Sequence, residues 1–148
     1  MSLTAPHASA VPSRLDGMRI LCVDDEPDTL HLFAFVLTRL GAEVVMALSV
    51  AEALAAFEQA VPSVVLADIA MPAGDGYALI RAIRARAASA GGCVPAVALT
   101  AYASDADAER ALEAGYNVHL AKPIDPLRVC QIIAQVVGAR GAEQPAVP

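Results

Sequence analysis

Residues 18–47 read MRILCVDDEPDTLHLFAFVLTRLGAEVVMA. The segment opens with a short apolar run, 18–23, that stops at three acids, the pattern of a strand buried in a parallel sheet. Apolar residues then return at helical spacing, at Leu30, Phe33, Leu37 and Leu40. Pro27 stands in the first turn, where its missing N–H is not needed, and Gly41 supplies the stop. Residues 43–47 resume an apolar, partly β-branched run and read as a second strand. Strand, helix and strand set a rhythm that the rest of the chain repeats.

Outward from there, Ser49 with Glu52 three residues later is a capping box for a helix over 49–59. Residues 63–67 form a third strand and 77–87 a third helix, and 94–99 a fourth strand. A helix opened by Ser104, with Asp107 three residues on, stops at Gly115. Residues 117–121 are the fifth strand, and Asp125-Pro126 caps a last helix that ends near Gly138. Five βα units imply one α/β domain with an open parallel sheet wound on both faces. Residues 1–17 and 138–148 lack periodicity and read as flexible tails around a domain spanning 18–137.

Composition narrows the function. The chain of 148 residues is long enough for one substantial core, and 57% of it is hydrophobic, with alanine supplying much of that share. Mean hydropathy is +0.54, yet no apolar run reaches the roughly 18 residues of a membrane span. Nor is there a basic region followed by an apolar core at the N-terminus, so no export signal is read and a cytoplasmic location is expected. A net charge of −6 argues against a nucleic-acid surface. Arg81, Arg84 and Arg86 form one basic cluster, read as the solvated face of a helix. The cysteines, Cys22, Cys93 and Cys130, are odd in number and form no CxxC pair; Cys22 and Cys130 read as small buried hydrophobes.

In an open parallel sheet the site lies beyond the carboxyl ends of the strands. Here those ends run into Asp24-Asp25-Glu26, Asp68, Thr100 and Lys122, the last being the chain's only lysine. An Asp after a strand is usually a turn residue, but acids, a hydroxyl and an ammonium on four strand ends form a constellation. Crowded carboxylates raise one another's pKa unless a cation relieves them, and a hard divalent ion, Mg²⁺ with Mn²⁺ as a substitute, suits oxygen ligands. A carboxylate can also attack phosphorus, with lysine, hydroxyl and metal spread over the phosphoryl oxygens. Neither a Walker A loop nor GxGxxG follows the first strand, which weakens nucleotide binding.

The stretches LCVDDEPD, VVLADIAMPAGDGYALI, VALTAY and HLAKPI together resemble the receiver domain of two-component response regulators, over residues 18–137. The phrase ALTAYASDADAERALEAGYNVHLAKPIDP resembles in particular the receiver of a hybrid sensor histidine kinase. The resemblance implies a flavodoxin-like (βα)5 fold with strand order 2-1-3-4-5. It makes Asp68 the phosphoacceptor, in a motif followed by Met71-Pro72 and Asp75-Gly76. It assigns Mg²⁺ to Asp25, Asp68 and the backbone carbonyl of Ala70, with Asp24 acting through water. Thr100 and Lys122 would bind the phosphoryl group, and Lys122 would pair with Asp68 before it arrives; the Lys122–Pro123 peptide is expected to be cis.

Some positions depart from the family pattern. His119 stands three before the lysine, where an aromatic switch residue is usual; it reads either as an imidazole switch with pH sensitivity or as a solvent-facing histidine on an edge strand. Gly74 replaces an apolar residue before Asp75-Gly76, and Tyr102 sits where bulk would shield the phosphoryl group from water. The implied partner is a histidine kinase or a histidine phosphotransfer protein, with Leu32 and Phe35 on the first helix as docking candidates. The surface of the fourth helix, fifth strand and fifth helix is the implied output or homodimer face. The expected activity is that of a signalling switch, not a turnover enzyme. Two other readings compete: an Asp-nucleophile phosphatase of the haloacid-dehalogenase type, which wants an Asp-x-Asp pair after its first strand, and a scaffold that is not phosphorylated.

Overall fold

Alternation decides where each strand residue goes. In β1 (Arg19–Val23), Ile20 and Cys22 point to one side of the sheet and Leu21 and Val23 to the other, and all four are buried. A computed structural model of the chain describes residues 14–69, 76–101, 105–122 and 125–143, with side chains to residue 138. The remaining strands are β2 (Glu43–Ala47), β3 (Val64–Asp68), β4 (Ala96–Thr100) and β5 (Val118–Ala121). They pair in parallel in the order β2-β1-β3-β4-β5. Central β3 and β4 are buried along their whole length, whereas edge strands β2 and β5 are only partly so.

Five α-helices among the described residues cover the sheet: α1 (Pro27–Arg39), α2 (Val50–Gln59), α3 (Gly76–Arg84), α4 (Asp105–Ala114) and α5 (Pro126–Glu143). Ile20, Cys22, Leu66 and Leu99 pack with Leu30, Phe33 and Leu37 of α1 and Val129, Cys130 and Ile133 of α5. On the opposite face Leu21, Val65 and Ala98 meet Phe57 of α2, Leu79, Ile80 and Ile83 of α3 and Ala111 of α4. This is the expected three-layer α/β fold with strand order 2-1-3-4-5.

The helix ends follow local chemistry. Ser49 Oγ accepts from Glu52 N at 3.1 Å, while the Glu52 carboxylate accepts from Leu48 N at 2.8 Å, one residue earlier than a regular capping box. Asp125 Oδ1 accepts from Leu127 N at 3.0 Å, so the Asp-Pro start of α5 is as expected. Gly41 and Gly115, at φ +103° and +130°, end α1 and α4 in paired turns. Ala42 N reaches Leu37 O and Gly41 N reaches Thr38 O; Tyr116 N reaches Ala111 O and Gly115 N reaches Leu112 O. The expected Ser104 cap lies outside the described residues.

Several boundaries differ from the sequence reading. Leu15 is fully buried among the α1-side core, and its N–H donates to Leu40 O at 2.8 Å. Packing against α1 thus reaches back to Leu15, and a single anchoring side chain leaves no periodic trace in the sequence. At the other end α5 continues through Gly138 to Glu143. Gly138 is not in the left-handed conformation that made Gly41 and Gly115 stops, and good helix formers around it offset its cost of about 1 kcal/mol. Helix α3 ends at Arg84 rather than 87, since Arg86 Nε donates to Ala90 O across a turn with a 3₁₀ segment, Ala88–Ala90.

The arginine cluster is a second correction. Arg84 is half-buried and its guanidinium donates to Gly115 O, Gly92 O, Val94 O and Asn117 Oδ1 at 2.9, 2.9, 2.6 and 3.2 Å. Arg86 pairs with Glu58 at 2.9 Å over the Phe57 ring. Arg81 is exposed as expected. Cys22 and Cys130 are buried free thiols, pushed up by burial to about 12 and about 11, while Cys93 is exposed. On α5, Val129, Cys130, Ile132 and Ile133 join the core and Leu127 is exposed.

Candidate functional site

Four of the five strand ends, all but that of β2, deliver a polar group to the carboxyl edge of the sheet. Asp24 follows β1, with its N–H on Ala47 O at 3.1 Å; Asp68 and Thr100 are the last residues of β3 and β4. Lys122 follows β5, and its N–H bonds Thr100 O at 2.7 Å, extending the β4–β5 ladder by one residue. Asp24, Asp68 and Thr100 are the buried polar residues among those described, at 3%, 7% and 2% exposure. A parallel sheet buries such groups only where something compensates them.

Lys122 supplies part of that compensation. Its Nζ donates to Asp24 Oδ2 at 2.9 Å and to Asp68 Oδ2 at 3.2 Å. The shorter bond is thus to Asp24, while Asp68 was the sole expected partner. The other Asp24 oxygen accepts from Glu26 N at 2.9 Å, so this carboxylate is held at both ends. Exposed Asp25 completes a trio in which one carboxylate oxygen from each residue lies within 4.8 Å of the other two. Burial tends to lower the Lys122 pKa, but the hydrogen bond to Asp24 and the charges of Asp68 and Asp24 outweigh it and raise it. Desolvation, then the charge of Asp24, lifts the Asp25 carboxyl above its ordinary range.

Three carboxylates facing one ammonium leave an excess of two negative charges. Hard oxygen donors at this spacing fit a divalent cation of the Mg²⁺ type. The Ala70 carbonyl lies outside the described residues, as do Gly74, Tyr102 and the Lys122–Pro123 peptide.

A family model described as the response regulator receiver domain matches residues 20–134. This chain is a response regulator receiver domain. The receiver is 44% identical over 121 residues to a 14.6 kDa protein in the sodA1 3' region of Leptolyngbya boryana, covering 82% of this chain and 91% of that one. It is 32% identical over 142 residues to hybrid signal transduction histidine kinase D of Dictyostelium discoideum, covering 92% of this chain but 9% of the kinase. Among solved structures, a CheY-like response regulator receiver domain protein from Methanospirillum hungatei aligns with a TM-score of 0.76 at 28% identity, over 85% of this chain and 98% of that one.

Outside the acid cluster, the receiver places His119 on β5 opposite Ala98, half-buried. Its Nε2 is buried with no hydrogen-bond partner, so this is not a freely solvated histidine. Leu32 and Phe35 stand out from α1 at 51% and 61% exposure, with Arg39 over the Phe35 ring. Helix α4 buries Ala111 alone and exposes Leu112. Sequence reasoning missed Tyr116, a buried side chain whose hydroxyl donates to Gly76 O at 2.7 Å. A contact across 40 residues has no signal in local spacing.

Proposed function

We propose that Asp68 accepts a phosphoryl group from the phosphohistidine of a histidine kinase or histidine phosphotransfer protein, in a Mg²⁺-dependent reaction. The observation that carries this reading is the Lys122 ammonium bridging Asp24 and Asp68, with Asp25 beside them. Asp24, Asp25, Asp68 and the Ala70 carbonyl are the groups that would hold the ion, which when bound offsets the charge of the carboxylates and the phosphoryl oxygens. An Asp68 oxygen forms the new P–O bond as the P–N bond breaks, and the electron pair leaves on the donor imidazole, which a proton then neutralises. Lys122 exchanges its bond to the Asp68 carboxylate for one to a phosphoryl oxygen, and the Thr100 hydroxyl binds another.

The new charge biases the surface of α4, β5 and α5 toward a second arrangement, which serves output or homodimer formation. The buried, unpaired Nε2 of His119 supports a switching role, since a ring nitrogen without a partner gains by moving to one. Leu32 and Phe35 on α1 are proposed to meet the phosphodonor partner. The domain turns itself off by slow hydrolysis rather than acting as a turnover enzyme. No disulfide joins Cys22, Cys93 or Cys130, which supports a reducing compartment, the cytoplasm.

Incubation with Mg²⁺ and a small phosphodonor, followed by intact mass, tests the assignment. A phosphoryl adduct on wild type and none on Asp68→Asn is expected. No adduct on wild type, or equal adducts on both, would overturn it.

A further inference from the structure

We infer that Tyr116 is a positioning residue for the phosphoacceptor, acting through the first turn of α3. Its hydroxyl donates to the Gly76 carbonyl at 2.7 Å in a fully buried contact, and the ring is itself 3% exposed. Gly76 opens α3 and lies directly on the backbone of Asp68 and Ile69. A Cβ at Gly76 would stand 2.7 Å from Ile69 Cα and 3.0 Å from Asp68 O, so only a bare Cα fits there. Gly76 N also donates to Ile69 O at 3.3 Å. Whatever holds Gly76 therefore holds the turn that carries the Asp68 carboxylate.

Tyr116 is well anchored to do so. Its N–H closes the end of α4 on Ala111 O at 3.1 Å, and the next residue's N–H bonds Ala96 O at 2.8 Å. Arg84, at the far end of α3, grips Gly115 O and Asn117 Oδ1 on either side of it. The junction of α4 and β5 thus holds α3 at both ends, through the tyrosine hydroxyl at its start and the arginine at its finish. Reactions that depend on placement rather than on covalent help from the protein are sensitive to displacements of this kind. Coupling of this sort is reciprocal: a ligand on the Asp68 turn biases the α4–β5 junction to the same extent that the junction biases the ligand.

The inference rests on the phosphoacceptor reading and deepens it. Tyr116→Phe keeps the ring and removes the hydroxyl. Calorimetric titration with Mg²⁺ alone should show affinity falling about fivefold, the equivalent of one net hydrogen bond. The Mg²⁺ half-saturation of phosphoryl uptake from a small phosphodonor should rise by the same factor, and hydrogen exchange across residues 111–118 should stop responding to Mg²⁺. Leu15→Ala is the control: it loosens the core on the opposite sheet face and should leave Mg²⁺ affinity at the wild-type value. Wild-type Mg²⁺ affinity in Tyr116→Phe, an equal loss in Leu15→Ala, or no Mg²⁺ binding by the wild-type protein would overturn the inference. If wild type binds Mg²⁺ but takes up no phosphoryl group, the phosphoacceptor reading fails while the calorimetry still decides the role of Tyr116.

Discussion

Replacing Asp25 by Asn should stabilise the metal-free protein and destabilise the metal-bound one relative to wild type. One carboxylate oxygen from each of Asp24, Asp25 and Asp68 lies within 4.8 Å of the other two. At that separation two unit charges repel by roughly 0.9 kcal/mol in water and roughly 3.5 kcal/mol at an effective dielectric of about 20. Asp25 is exposed, so the lower figure applies to each neighbour, and solvent screening reduces the sum further. Asp25→Asn should then gain about 1 kcal/mol at neutral pH and low salt, or about 3 °C in Tm by scanning calorimetry with chelator present. The Asp25 carboxyl is held above its ordinary 3.8, so the fold penalises its ionised form. Wild type loses stability as pH rises through and above that value, and asparagine does not; the gap must close as pH falls below about 3.8. Saturating Mg²⁺ reverses the order. A ligand at a hundredfold its Kd stabilises by about 2.7 kcal/mol, and the variant, short of one ligand, gains less. A metal-free Asp25→Asn no more stable than wild type would refute the electrostatic account, and so would a gap of the same size below pH 3.8.

Three further outcomes follow from single side chains. Lys122→Arg keeps the charge, but a planar fork cannot match one Nζ shared by two carboxylates at 2.9 and 3.2 Å; phosphodonor-driven uptake and the hydrogen-exchange response of α4 should both fall. Arg84→Met removes four hydrogen bonds from one guanidinium and should cost about 2–4 kcal/mol in urea unfolding, against near zero for Arg81→Met on the exposed side of the same helix. Native protein treated with a thiol reagent at neutral pH should take one label, on Cys93, because Cys22 and Cys130 are buried and pushed up to about 12 and about 11; denatured protein should take three.

What was legible in the chain is what repeats or what must lie at an edge. Strands β1, β3 and β4 are apolar runs because both faces are covered, and the residue that ends each run sits on the carboxyl edge by geometry alone. Asp24, Asp68 and Thr100 therefore group at one edge from their place in the sequence, and Lys122 joins them at the end of β5. Leu15 and Gly138 show the reverse case: one buried anchor and one helix-tolerated glycine carry no pattern, so neither the burial of Leu15 nor the continuation of α5 is legible in the sequence. Arg84 failed for another reason. Its spacing with Arg81 and Arg86 describes a solvated face, while its acceptors lie 8 to 33 residues away, where no local pattern encodes them.

The same limit separates the site from its supports. Charged groups at a site announce themselves by type, since acids and a lone lysine at strand ends have few structural excuses. Groups that hold the site in place do not, because a tyrosine in an apolar segment looks like core. Tyr116 is buried and Arg84 half-buried, and their polar atoms link α3 to the segment between α4 and β5. That segment adjoins both α4, which buries only Ala111, and β5, whose His119 has an unpaired buried nitrogen. Side-chain hydrogen bonds from Tyr116 and Arg84 thus tie α3 to that junction, while α4 next to it buries one residue.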